Sequence, residues 1–201
     1  IRLHAPVDAV RRLPNHVLVK PRWGDIERYD QVVFACHSDQ ALNILADATP
    51  LEREALGATP YQSNDVVLHT DTSVLPKRKL AWAAWNYHLF DQESDRVAVT
   101  YHMNILQRLQ TSTPLLVSLN MTDAIDPKKI IKRMSYEHPH YTPQGVAAQS
   151  RQAEINGVDR TYFCGAYWRN GFHEDGVVSA LNMLDHFKER AHAQRHLYRT
   201  A

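Results

Sequence analysis

Short apolar runs broken by turn residues open the chain. Val17, Leu18 and Val19 form one run, closed by Pro21 and Gly24-Asp25, and the stretch from Ile1 to Ala35 reads as strands. Val32-Val33-Phe34-Ala35 is continuously apolar, which suits a strand of a parallel sheet covered on both faces. After Cys36-His37, Ser38 can cap a helix carrying Ala41, Leu42 and Leu45. A second helix begins with Thr49 as N-cap, Pro50 at the first helical position and Glu52 completing a capping box, and Gly57 ends it.

From residue 61 to 120 the pattern changes to strand composition at 66–70, 80–88, 96–103 and 115–120. Val97, Val99, Tyr101 and Met103 alternate with Ala98, Thr100 and His102, the mark of a half-buried antiparallel strand. The polar stretch 91–95 reads as a hairpin loop. Asp126-Pro127 predicts a helix through Met134, followed by an irregular stretch from Glu137 to Tyr141. Thr142-Pro143 starts another helix, ending at Asn156-Gly157. Thr161 to Cys164 reads as a short strand and Gly165 to Phe172 as a loop. A long final helix follows, with Val177, Val178, Leu181, Leu184 and Phe187 along one face.

The sum is a mixed α/β chain, in which a partial α/β domain (1–56 and 157–201) flanks an inserted domain (57–156) built on an antiparallel sheet. At 201 residues, 44% apolar and 22% charged, it can bury a real core. The net charge of +1 leaves no global basic field for nucleic acid. The small basic clusters Arg11-Arg12, Lys128-Lys129 and Lys132-Arg133 read as solvated faces. No apolar run is long enough for a membrane span and no signal peptide opens the chain, so the expected location is cytoplasmic. The start at Ile1, inside a strand, suggests a fragment.

Twelve histidines invite a metal reading. His192 and His196 stand one helical turn apart, yet they lie in a polar tail with no third ligand in sequence, and no HExxH occurs; metal binding is not expected. Cys36 and Cys164 close predicted strands and read as buried structural thiols. The strongest local signal is Phe163-Cys164-Gly165-Ala166-Tyr167-Trp168 followed by Gly171-Phe172-His173-Glu174-Asp175-Gly176. Strand, glycine-bearing loop and helix start bring backbone N–H groups to a helix N-terminus, where a phosphate or another electron-rich group can bind. The alternative is an ordinary strand–loop–helix whose aromatics are core.

This segment resembles the C-terminal flavin-binding stretch of the FAD-dependent amine oxidase superfamily, and in particular its bacterial members described as flavin-containing amine oxidases or NAD/FAD-binding proteins. The resemblance extends over nearly the whole chain. Val7 to Val10 is similar to the V-x-x-V element that meets the adenine. Asp30 to His37 is similar to the D-x-V-V-x-A-x-P/H strand beside the dinucleotide. Ala81 to His88, Val99 to Asn104 and His138 to Pro143 also have the look of that subgroup.

The resemblance implies FAD as cofactor, a partial Rossmann-like FAD-binding domain, and hydride transfer from a small-molecule substrate to the flavin. It assigns Val7, Cys36, Gly165, Ala166, Glu174, Asp175, Gly176 and Val177 to the cofactor. Tyr167, Trp168 and His173 become candidates for the flavin side of a substrate pocket, and Trp82, Trp85 and Tyr87 for its substrate side. There are departures. Ala166 stands where the family carries an acid, and no lysine occurs between Gly57 and Pro76. The G-x-G-x-x-G turn that grips the pyrophosphate is absent, as no G-x-G occurs at all. The expectation is therefore a C-terminal portion that retains FAD poorly without an N-terminal segment of the same protein. Its rivals are a binding module that has lost the cofactor and a histidine-based metal hydrolase.

Overall fold

Reciprocal capping and a buried ion pair fix the first helices. Thr49 Oγ1 accepts the Glu52 N–H at 3.2 Å while the Glu52 carboxylate accepts the Thr49 N–H at 2.7 Å. The same carboxylate takes two hydrogen bonds from Arg12, at 2.5 and 2.9 Å, and Arg12 also donates to the Asp47 side chain and carbonyl. Arg12 is therefore buried rather than part of a solvated face. Burial works to lower its pKa, but Glu52 and Asp47 outweigh that and raise it.

A computed structural model describes residues 1–90 and 96–199, with side chains in the last helix up to residue 190. The expected hairpin loop at 91–95 and the side chains of His192 and His196 lie outside the described residues. Two units form, 1–61 with 139–201 and 62–138.

In the first unit, β1 (Val7–Leu13), β2 (His16–Pro21) and β3 (Glu27–Tyr29) make an antiparallel sheet. Then come β4 (Val32–Phe34), α1 (Ser38–Ile44) and α2 (Pro50–Gly57). The second unit has β5 (Tyr61–His69), β6 (Trp85–His88), β7 (Ala98–His102), a single turn α3 (Met103–Leu106), β8 (Leu116–Leu119) and β9 (Ile130–Pro139). Its five strands lie in the order β6-β7-β8-β5-β9. The chain then gives the first unit α4 (Pro143–Ala148), α5 (Gln152–Ile155), β10 (Thr161–Phe163) and α6 (His173–Arg199). β10 pairs with β4 in parallel, and Phe34 stacks on Phe163 at 5.3 Å in a core with Val10, Val17, Leu45 and Leu56. The fold is mixed α/β with mostly antiparallel sheets.

Several elements differ from expectation. Ser38 is the first residue of α1, and His37 is its cap. The helix expected over 127–134 is one 3-10 turn, Pro127–Lys129, followed by β9. Asp126 does cap that turn, accepting the Lys128 N–H at 3.0 Å. Pairing beside β5 then takes over, since a cap starts a helix but long-range partners decide how far it runs. Val33 is 45% exposed, because β4 belongs to a two-stranded sheet among the described residues. Most unexpectedly, α6 buries Asp175, Ser179 and Met183, while Val177, Leu181 and Leu184 face outward. The polar residues turn inward because the neighbouring loop needs their oxygens. No described helix is long and apolar enough to cross a membrane.

Candidate functional site

The segment from Cys164 to Gly176 is held by side chains that answer its backbone. Ser179 Oγ accepts the Gly165 N–H at 2.8 Å. The Asp175 carboxylate accepts the N–H groups of Asn170 at 3.1 Å and Phe172 at 3.0 Å, and Arg169 lies 3.5 Å away. Gln152 and Asn156 donate to the Phe163 carbonyl, and the Asn156 side chain accepts the Phe163 N–H at 2.6 Å. The strand end, loop and helix start thus form a preset frame.

Two glycines are required by sterics. A Cβ on Gly165 would run into the ring of Tyr167. Gly171 has φ +85°, a left-handed conformation, and a Cβ there would sit 2.5 Å from the Tyr141 hydroxyl. At Gly176 the nearest atom to an added Cβ would be Ala166 Cβ at 4.0 Å, so the loop comes close to the first turn of α6.

Around this frame the buried Tyr167 hydroxyl lies against Trp168 Nε1, and the buried Ser38 Oγ against the Tyr61 hydroxyl, each pair short of full hydrogen-bonding geometry. Tyr167 and Trp168 pack ring against ring at 5.0 Å. Burial raises the Tyr167 phenol well above its ordinary value, and the nearby Tyr61, Cys36 and Cys164 push the same way. Tyr61 accepts the Ser38 N–H at 3.2 Å, and its ring stacks on His37 at 4.4 Å. Burial takes Tyr141 up to about 12, helped by Tyr61 and Asp175.

Of the residues singled out by sequence, Gly165, Ala166, Tyr167, Trp168, His173, Glu174, Asp175, Gly176 and Val177 lie on this one stretch. Cys36 is near Tyr167, with its thiol raised first by burial and then by Asp39. The Cys164 thiol is raised by burial as well, so both cysteines are held protonated. Val7 lies on β1 opposite Pro21, at the start of a register shift, and packs against the core. Trp85 and Tyr87 project from the same face of β6; Trp85 meets Tyr101 edge-on at 5.2 Å, and both are exposed. Trp82 is separate from that pair. Its indole donates to the Pro76 carbonyl at 2.9 Å, and its ring lies 5.4 Å from His102, which points to the opposite face from Tyr101. Ser38, Tyr61 and Tyr141 were not singled out. Only a capping serine after a strand hinted at the first, and nothing local marks the two tyrosines.

Among the described residues no group of three His, Cys, Asp or Glu could hold one metal ion. No family model and no curated protein matches the sequence. Solved structures share the fold. A CLA-producing fatty acid isomerase from P. acnes superposes with a TM-score of 0.63 at 15% identity, over 91% of this chain and 47% of the isomerase. Cyclohexylamine oxidase from Brevibacterium oxydans IH-35A gives 0.56 at 15%, over 92% and 49%. Putrescine oxidase, in its wild-type complex with putrescine, gives 0.56 at 11%, over 90% and 48%. The chain therefore has the fold of part of these enzymes and spans about half the length of each.

Proposed function

We propose that this chain is the second half of an FAD-dependent oxidoreductase of the amine-oxidase kind. In this reading residues 1–56 and 157–201 contribute to the flavin site, and 57–156 to the surface that meets a small-molecule substrate. The observation that carries it is the fold shared over nine-tenths of the chain with about half of two amine oxidases. The buried, imperfectly bonded Tyr167 and Trp168, which the resemblance places at the flavin side of the substrate pocket, support it too. One neighbour is an isomerase, so the fold alone does not decide the net reaction.

The residues fit the group. Tyr167, Trp168 and Ser38 are buried with polar atoms only imperfectly bonded to one another and to Tyr61. The first turn of α6 offers backbone N–H groups, with Gly176 leaving room beside Ala166. Bound FAD would supply hydride acceptance. The protein's residues would orient and dry the site. Asp175, engaged with two N–H groups, holds the loop rather than a ligand. Tyr167 and Trp168, both buried, exclude water.

The pyrophosphate grip would come from a strand–turn–helix segment carrying G-x-G-x-x-G upstream of Ile1 in the same protein. Its docking surface would include the outward stripe of α6, Val177, Leu181 and Leu184, and the exposed Val33. Parallel strands occur with both faces covered, and exposed apolar stripes mark interfaces.

The test is the visible absorbance of the purified chain with FAD, alone and co-expressed with such a segment. A flavin spectrum only in the pair is expected. Flavin with the chain alone would mean that the residues 164–176 and β1 suffice. Flavin in neither would refute the reading in favour of a non-enzymatic binding module.

A further inference from the structure

The sheet of the second unit has a buried face that is polar. Its register sets Thr100 opposite both Ser118 and Asn86, His88 opposite Ala98, and Leu116 opposite both His69 and His102. Trp85, Tyr87, Val99 and Tyr101 occupy the other face. His69, Thr100 and Ser118 are almost wholly buried.

Hydrogen bonds run in a line across β5, β8, β7 and β6. His69 Nε2 and Ser118 Oγ are 2.8 Å apart, Ser118 Oγ and Thr100 Oγ1 2.7 Å, and Thr100 Oγ1 and His88 Nε2 2.9 Å. At the far end the Asp71 N–H donates to His69 Nδ1 at 3.1 Å. An amide N–H can only donate, so Nδ1 carries the lone pair and the neutral His69 ring holds its proton on Nε2. That proton goes to Ser118, the Ser118 hydroxyl proton to Thr100, and the Thr100 proton to His88 Nε2. His88 must then hold its own proton on Nδ1. One backbone amide thus orients four side chains. The alternative acceptors of Thr100 among the described residues are the Ser118 oxygen, whose own proton would then lose its acceptor, and the Met121 sulfur at 3.4 Å, which is weak.

We propose that this line is an acid-released clasp, which ties the edge strand β6 to the sheet while His69 and His88 are neutral and loosens it when either is protonated. A charged His69 would turn an N–H toward the Asp71 N–H, donor against donor. A charged His88 would turn an N–H toward Thr100 and drive its hydroxyl proton back against that of Ser118 or onto the sulfur of Met121.

The surrounding charges do not cancel this. The Asp71 carboxylate favours a charged His69, but it is engaged by the N–H groups of Asp126 and Ser73 and by Lys129 at 3.0 Å. Burial of His69 outweighs it and lowers the pKa. For His88, which stacks on Phe90 at 6.4 Å, burial lowers the value and no described charge opposes it. His102 is lowered by burial as well, though its backbone works the other way, so its charging acts in the same sense. A histidine whose folded value lies below its unfolded value stabilises the fold above the unfolded value and withdraws that stability as pH falls. The window therefore opens at about pH 6.5 and extends downward. Trp85 and Tyr87 ride on the strand that loosens. The clasp does not depend on the flavin reading.

The experiment uses the full chain, labelled with 15N. At pH 7.5 the histidine ring spectra should show His69 as the Nε2–H tautomer and His88 as the Nδ1–H tautomer. Hydrogen exchange of the β6 amides, corrected for intrinsic rate, should lose about tenfold in protection between pH 7.5 and 5.5. In the double variant His69→Gln, His88→Gln, whose amides donate and accept at every pH, most of that loss should disappear, leaving only the share that His102 carries. The opposite tautomer at His69, equal protection in the unsubstituted chain, or the same loss in the double variant would each overturn the proposal. If the double variant does not fold, the tautomers and the unsubstituted exchange decide it.

Discussion

Replacing Arg12 by methionine removes a cation from a heavily bonded buried group of the first unit. The guanidinium is 5% exposed and its partner carboxylate, Glu52, 2% exposed. Arg12 makes two hydrogen bonds to Glu52, one to the Asp47 side chain and one to the Asp47 carbonyl, and its own N–H reaches Asp47 Oδ2 at 3.0 Å. In Arg12→Met the Glu52 carboxylate keeps its capping bond with Thr49 but loses its counter-charge. Breaking a buried pair by removing one partner costs about 3–5 kcal/mol. With a urea m-value of about 2 kcal/mol/M, the midpoint should fall by about 1.5–2.5 M. The assay is equilibrium urea unfolding followed by circular dichroism at pH 7. The double variant Arg12→Met, Glu52→Leu should recover part of the loss, because no buried charge of that pair is left stranded although the bond from the Thr49 N–H to Glu52 goes with it. A single-variant loss below about 1 kcal/mol would refute the argument, since it would mean that water reaches Glu52 in the folded chain.

Three further outcomes follow from the geometry. Gly171→Ala should cost about 1–2 kcal/mol through its left-handed backbone and its approach to Tyr141, and Tyr141→Phe in that background should restore only the steric share, read by thermal unfolding. Leu181→Lys, at a site 55% exposed, should shift the stability of the chain alone by less than about 0.5 kcal/mol, yet weaken co-purification with a G-x-G-x-x-G segment; equal co-purification would remove α6 from the docking surface. Burial would raise the Asp71 pKa, but the bonds from Asp126, Lys129 and Ser73 outweigh it and hold the group ionised well below its ordinary range. Its contribution is therefore present above the unfolded value of about 3.9 and lost as pH falls below it. Asp71→Asn should flatten the acid limb of unfolding there; an unchanged limb would count against the assignment.

Much of the frame was legible in the sequence because it is local. The capping box of Thr49 and Glu52 and the strand–glycine–helix order at 161–176 depend on neighbours a few residues apart. What escaped depends on partners far along the chain. Residues 127–134 carry a good helix start, but β9 is decided by pairing next to β5, where Ser63 and Ser135 meet at 2.9 Å. Arg12 reads as solvated until Glu52, forty residues away, is seen beside it. The outward stripe of α6 inverts the usual reading of an amphipathic helix, because Ser179 and Asp175 are needed inside to satisfy Gly165, Asn170 and Phe172. The polar groups near Tyr167 gather from three distant stretches, and no spacing rule reports such a meeting.

The second unit leaves and rejoins the chain on neighbouring strands, since β5 and β9 lie side by side, and the His140 N–H bonds the Pro60 carbonyl at 2.7 Å across the two crossings. An insert whose ends lie this close behaves as a cassette. Evolution, or an engineer, could exchange residues 62–138 for another sheet with two splices.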